Sequence, residues 1–229
     1  MIVKSKQPNV KGTVPRRSYR QFCSLARALD ILGERWTLLV VRNLLLGPQR
    51  YKDLLDGLPG IGTNLLARRL KDLEQQGIVR RRQLPPPAGS TVYELAELGR
   101  GLEPAVIALS RWGLWTLQHP RPRNLFRPAW GMLAMRILFR PEAARGVRET
   151  YQWQIDEEVF HIRVDDGAAE VQQGPAPHPD LVFTCDSETF RGLAARTLSP
   201  EDALASGSLK FEGDVAALAH FREVFQPPD

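Results

Sequence analysis

The stretch Thr63-Asn64-Leu65-Leu66-Ala67-Arg68-Arg69-Leu70-Lys71-Asp72-Leu73, closed shortly afterwards by Gly77, decides how this chain is read. Leu66, Leu70 and Leu73 stand at i, i+4 and i+7, so at about 100° per residue they form one buried stripe of a helix. Asn64, Arg68 and Lys71 fall on the opposite face. Thr63 reads as the N-cap, since its hydroxyl can accept from a free first-turn amide. The apolar stripe fixes the helix on a core and leaves outward the side-chain types that pair bidentately with adenine (Asn) and guanine (Arg).

Upstream, residues 56–62 (DGLPGIG) form a turn rich in helix breakers, and residues 50–55 give a short helix with Tyr51, Leu54 and Leu55 inward. Residues 36–46 form a strongly apolar helix ended by Gly47 and Pro48, and Leu25, Leu29 and Leu32 repeat at helical spacing before Gly33. Downstream, residues 78–84 and 91–95 read as two strands joined across a proline-stiffened tip. A long helix over 99–119 follows, with Leu102, Val106, Leu109, Trp112 and Trp115 on an apolar side broader than its own small domain needs.

Helix, helix, short helix, glycine turn, amphipathic helix and basic hairpin is the layout of a winged helix-turn-helix. The major groove, about 12 Å wide, admits one helix, whose first residues meet base edges while its flanks hold phosphates. On this reading Thr63, Asn64 and Arg68 are base or near-base contacts, and Arg69 and Lys71 are phosphate ligands. Arg80, Arg81 and Arg82 alternate along a strand, so they do not all point one way, and they begin a wing toward an adjacent minor groove. Read without charge, the same pattern also suits a small helical bundle with a solvated cationic face.

The formal charge of +5 conceals a division at Pro120. Residues 1–120 hold 19 Lys and Arg against 9 Asp and Glu, a net of +10; residues 121–229 hold 12 against 17, a net of −5. A polyanion is therefore met by the first half, because phosphate neutralisation needs clustered cations. Residues 1–18 carry five basic residues and no acidic one, and read as a flexible arm.

Prolines at both ends of the charged stretch beginning at His119 make residues 120–128 a linker. Domain boundaries on this reading are 19–119 for DNA binding and dimerisation and 129–229 for a second domain. That second domain opens with a helix whose apolar face holds Trp130, Leu133, Ala134, Ile137 and Leu138. Strands then alternate Tyr151, Trp153 and Ile155 with glutamines, and Phe160, Ile162 and Val164 with polar residues, around an Asp165-Asp166-Gly167 hairpin turn. Further strands near 169–173, 181–185 and 209–211, with helices from Glu188, Pro200 and Val215, complete an α+β layout.

Catalytic chemistry finds no constellation. His119, His161, His178 and His220 are scattered, and neither a phosphate-binding glycine loop nor a GxSxG turn occurs. Cys23 and Cys185 lie far apart, in no metal-binding spacing. The expectation is a protein that is not an enzyme and has no catalytic residue, metal or cofactor. The longest aliphatic run, residues 38–41, is far below the roughly 20 residues of a membrane span, so the expected location is the cytoplasm, with no membrane partner.

The stretches CSLARALDILGERW (23–36), RNLLLG (42–47), YKDL (51–54), LPGIG (58–62), LARRL (66–70) and LEQQGIV (73–79) resemble the HxlR-type bacterial transcription regulators over about residues 19–118. The resemblance implies a winged helix-turn-helix that homodimerises through its terminal helices and binds double-stranded DNA. A two-fold dimer requires an inverted-repeat operator. The apolar helix over 99–119 suits that dimer role independently, although its face also suits packing against the second domain. In some members of the family a cysteine just before the first helix senses oxidants or electrophiles. Cys23 occupies the matching place, with Ser24 where such members often have proline; a lone cysteine also serves as a small apolar residue.

In the second half, DLVFTCDSETF (180–190), LSPEDAL (198–204) and GSLKFEGD (207–214) resemble a sterol-carrier-protein-2-type domain over about residues 128–226. This implies a helix-covered sheet around an apolar tunnel for a lipid or another hydrophobic small molecule. Phe160, Phe183, Phe190, Phe211, Phe221 and Phe225 either line that tunnel or pack as ordinary core. The C-terminal half then acts as a ligand-binding module or, without a ligand, as a dimerisation or protein-interaction module.

Overall fold

A computed structural model describes residues 18–85, 89–114 and 125–226. The chain forms two domains. The first runs α1 (Ser24–Leu32), α2 (Thr37–Leu44), β1 (Gln49–Arg50), α3 (Tyr51–Asp56), α4 (Thr63–Gln75), β2 (Val79–Gln83), β3 (Thr91–Leu95), α5 (Glu97–Arg100) and α6 (Glu103–Leu114). Its core gathers Val40, Val41 and Leu44 of α2, Leu54 of α3, Leu58 and Ile61 of the glycine turn and the α4 stripe Leu66, Leu70 and Leu73. The stripe is fully enclosed, as the spacing predicts. The turn between α3 and α4 depends on Gly60, whose φ of +92° an L side chain rarely adopts and over which the Trp36 ring packs.

Three local expectations are corrected here. Thr63 is the first helical residue of α4, and Gly62, in extended conformation, occupies the N-cap without a side-chain bond. The helix expected over 99–119 breaks at Gly101 into α5 and α6, and Trp115 lies outside the described residues. The two-residue strand β1 was not expected. It pairs with β3 through Gln49 opposite Tyr93 and Arg50 opposite Val92, giving a three-stranded sheet in the order β1-β3-β2. Most of the arm, part of the hairpin tip and residues 120–124 also fall outside the described residues.

The second domain runs α7 (Pro128–Leu138), β4 (Arg148–Ile155), β5 (Glu158–Asp165), β6 (Ala168–Gln173), β7 (Leu181–Cys185), α8 (Ser187–Ala194), α9 (Pro200–Ala205), β8 (Leu209–Gly213) and α10 (Val215–Val224). Its sheet has the order β6-β5-β4-β7-β8, antiparallel except for β4 with β7. Period-two alternation places Phe160, Trp153, Phe183 and Phe211 directly opposite one another across four strands, on the face covered by helices. The other face carries Gln152, His161 and Gln172 in register.

The domains meet behind the helix-turn-helix. Leu46, just beyond α2, is buried in the core of the second domain, and its carbonyl accepts from Gln173 N at 3.4 Å. Arg136 of α7 pairs with Glu103 of α6, and an Arg111 terminal nitrogen donates to Ile137 O at 3.4 Å.

Candidate nucleic-acid interface

Because Leu66, Leu70 and Leu73 face inward, the outer side of α4 is set by geometry: Thr63, Asn64, Ala67, Arg68, Lys71 and Gln75 are exposed along it. The helix N-terminus carries its unpaired amides and positive dipole end outward beside Thr63 and Asn64, an arrangement that favours a phosphate there. Tyr51 of α3 fixes this end by donating its hydroxyl to Thr63 O at 2.7 Å.

Arg68 and Arg69 are neighbours in sequence with opposite surroundings. Arg68 is exposed. The Arg69 side chain is only 12% exposed: it binds Glu34 at 2.8 Å and Asp72 at 3.4 Å and donates from Nε to Arg35 O at 3.3 Å. All three guanidinium nitrogens are thus engaged within the chain, and Arg69 braces α4 against the turn between α1 and α2. Arg69, expected as a phosphate ligand, is thus held by three partners of its own chain.

The wing arginines are ordered by carboxylates. Arg80 and Arg82 point the same way and donate from Nε to the two oxygens of Glu94, at 2.7 and 2.9 Å. Arg81 points the other way, to Glu74 of α4 at 2.7 Å. Burial raises the Glu94 carboxyl, but the hydrogen bonds and charges of Arg82 and Arg80 outweigh it and hold the group below its ordinary range. All three arginines stay exposed, so they present cations from fixed stems. Periodicity could have found Gln75, which continues the outer stripe one turn beyond Lys71. Lys52, exposed on α3, lacks such a signal.

Apolar side chains are also exposed on α1 and α6. Phe22, Leu25 and Leu29 at α1, with Leu109 and Trp112 of α6, are exposed; Trp112 is 69% exposed. Cys23 is exposed at the N-cap of α1. Cys185 is buried, and desolvation, then Asp186 and Asp156, push its thiol up to about 12, which leaves it protonated and inert at neutral pH.

Of the six phenylalanines expected to line a tunnel, five lie in or against the core of the second domain. Trp153 stacks on Phe183 with centroids 4.4 Å apart and meets Phe190 at 5.2 Å. Phe221 contacts Phe183 at 4.7 Å and Phe225 at 4.8 Å. Phe160 is fully buried opposite Trp153. Phe211, on edge strand β8, is 36% exposed. Between the rings of Trp153, Phe183, Phe190 and Phe221 the separations are those of direct packing.

The HxlR-like helix-turn-helix family matches residues 31–120, and the SCP-2 sterol transfer family matches residues 137–226. The uncharacterized HTH-type transcriptional regulator YvaP of Bacillus subtilis is 37% identical over 86 residues, covering 38% of this chain and 80% of its own length. The HTH-type transcriptional regulator YodB of the same organism is 38% identical over 85 residues, 37% of this chain and 76% of its own. The solved reduced form of YodB aligns at 33% identity over 45% of this chain and all of its own, with a TM-score of 0.38. These relatives are named as HTH-type transcriptional regulators. The chain belongs to the HxlR-like helix-turn-helix family of transcriptional regulators, and its residues 137–226 match the SCP-2 sterol transfer family.

Proposed function

We propose that this regulator works in the cytoplasm as a homodimer that reads an inverted-repeat operator through α4, and that an apolar small molecule in the second domain adjusts the binding. The observation that carries the DNA-reading half is the outer face of α4, where Thr63, Asn64 and Arg68 stand free over a fully buried leucine stripe. In this reading those three residues meet bases, Lys71 meets phosphate, and Arg80, Arg81 and Arg82 meet the backbone or minor groove beside the wing. The dimer forms through the exposed apolar faces of α1 and α6, where association would bury side chains that a monomer leaves in water. Selection of bound duplexes from random DNA should return a two-fold repeat with half-sites about one helical turn, or a multiple of it, apart. Recovery of a single asymmetric site, or of no consensus, would contradict the proposal. Sedimentation at micromolar concentration should give a dimer, and Trp112→Glu should make it a monomer.

For the second domain, the reading is that a hydrophobic molecule enters between the sheet and α10. There Phe221 and Phe225 must yield the room, while Phe160, Phe183 and Phe190 form the floor and far wall and Phe211 the rim. The ligand must favour one dimer geometry by about 1–3 kcal/mol to matter for control. Native mass spectrometry of protein purified without detergent should reveal a bound apolar molecule. A bare chain mass, together with no shift in melting on titration with fatty acids or sterols, leaves the domain as a dimerisation or protein-interaction module.

A second reading, a thiol response, is favoured by one observation: Cys23 is exposed at the N-cap of α1, between Phe22 and Leu25 of the face assigned to the dimer, where a polar adduct would be disruptive. If Cys23→Ser leaves the response of DNA binding to a quinone or diamide unchanged, that reading fails.

A further inference from the structure

Arg42, in the last turn of α2, is a cation housed by both domains. Its guanidinium lies 4.7 Å from the ring centre of Trp130 on α7, and Nε and a terminal nitrogen donate to Asn43 Oδ1 at 3.0 and 2.8 Å. Burial pulls its pKa down to about 10, so it remains charged at neutral pH with no carboxylate opposing the shift. A half-buried cation with no carboxylate partner among the described residues needs other electron-rich partners, and here an aromatic face and an amide oxygen provide them.

Asn43 is itself buried and stands at the root of both reading elements. Its amide nitrogen packs so closely on Gly57 that a Cβ there would lie 2.6 Å away. Gly57 closes α3, and a hydrogen-bonded turn leads from it into α4: Ile61 N donates to Leu58 O, and Leu65 N and Leu66 N donate to Gly62 O, each at 3.0 Å. The Asn43 carbonyl accepts from Gln49 Nε2 at 3.0 Å, and Gln49 lies on β1, the neighbour of wing strand β3. The Arg136 pair with Glu103 and the burial of Leu46 hold α7 against the first domain, so a displacement of α7 acts on Arg42.

We infer that Trp130 is a positioning residue for DNA reading: by holding Arg42 it sets Asn43, and Asn43 sets the turn ahead of α4 and the strand beneath the wing. The inference rests on α4 being the reading element. The second domain would then tune recognition from behind, with or without a ligand.

The test uses full-length variants, a selected operator duplex and a scrambled duplex. Trp130→Leu keeps bulk but removes the aromatic face, and should weaken operator binding roughly three- to tenfold, within the range of coupling through packed networks, with scrambled DNA unaffected. Trp130→Phe should bind within about twofold of the parent, since a ring face is retained. Arg42→Lys, which keeps the charge but neither stacks nor donates as a fork, should reproduce the loss independently of α7 packing. In an Asn43→Ala background Trp130→Leu should add nothing further, the mark of shared coupling. Parent-like operator binding by Trp130→Leu or by Arg42→Lys, or additive effects in the pair, overturns the inference while Arg68→Ala still relaxes specificity on the same duplex. Loss of no specificity in Arg68→Ala overturns the reading of α4 instead, and this inference with it.

Discussion

The outer face of α4 and the aromatic layer of the second domain are both built on regular alternation, yet they differ in what a ligand would meet. On α4 the leucine stripe is consumed by the core, so the outer side chains of Thr63, Asn64, Arg68, Lys71 and Gln75 stand exposed to a partner, while Arg69, Asp72 and Glu74 are paired within the chain. In the second domain the residues assigned to a ligand are also the core, and Trp153, Phe183, Phe190 and Phe221 already contact one another. A reading surface can therefore be stiff and ready, whereas an apolar ligand must replace contacts that the empty domain makes with itself. On the proposed reading, binding there would be a competition between ring packing and ligand.

The largest effects should come from the two cores. Phe183→Ala should cost about 3–5 kcal/mol and Leu70→Ala about 2–5 kcal/mol, measured by urea unfolding. A much smaller cost at Phe183 would mean that the layer is already loose, and would bring the two regions closer in kind. Next come the adjacent arginines. Arg69→Ala should lower stability by about 1–3 kcal/mol, because the charged hydrogen bonds of a nearly buried guanidinium are lost, while the slope of log affinity against log salt stays unchanged. Arg68→Ala, at an exposed site, should change stability by no more than about 0.5 kcal/mol. The reverse pattern would return Arg69 to the DNA-facing set.

Two smaller effects are read through pH. Glu94 titrates below its ordinary range in the folded chain, so its contribution is present above the unfolded carboxyl pKa and is lost as pH falls through the lower folded value. Glu94→Gln should flatten the acid limb of the melting profile and loosen Arg80 and Arg82. His220 on α10 donates from Nδ1 to Glu149 at 2.6 Å, and the same carboxylate accepts the Tyr151 hydroxyl at 2.6 Å. The hydrogen bond and charge of Glu149 raise the His220 pKa, so its contribution is full below the unfolded value and disappears as pH rises through the higher folded one. His220→Gln should remove a slight weakening of α10 packing on the alkaline side; an unchanged profile would remove His220 from any part in holding α10.

Much of this fold was legible in sequence because its signals are periodic. The i, i+4, i+7 leucines of α4 and the alternating Tyr151, Trp153 and Ile155 name their buried faces directly. The outer residues of α4 followed as a complement. Arg69 was not legible, since its fate depends on Glu34, 35 residues away, and on a backbone carbonyl. The cap at Gly62, the break at Gly101 and the strand β1 escaped for a related reason: each is fixed by packing and pairing rather than by a residue's own preference. The joint between Trp130 and Arg42 joins two domains whose charge patterns pointed to separate roles.

The central claim is tested most directly by titrating parent, Arg68→Ala and Lys71→Ala protein onto the selected operator and onto scrambled DNA across a salt series. Arg68→Ala should lose about 1–3 kcal/mol on the operator alone and relax preference at one base pair, while Lys71→Ala should lose affinity on both duplexes and reduce the salt slope by about one. Equal losses on both duplexes from Arg68→Ala would contradict base reading by the outer face of α4.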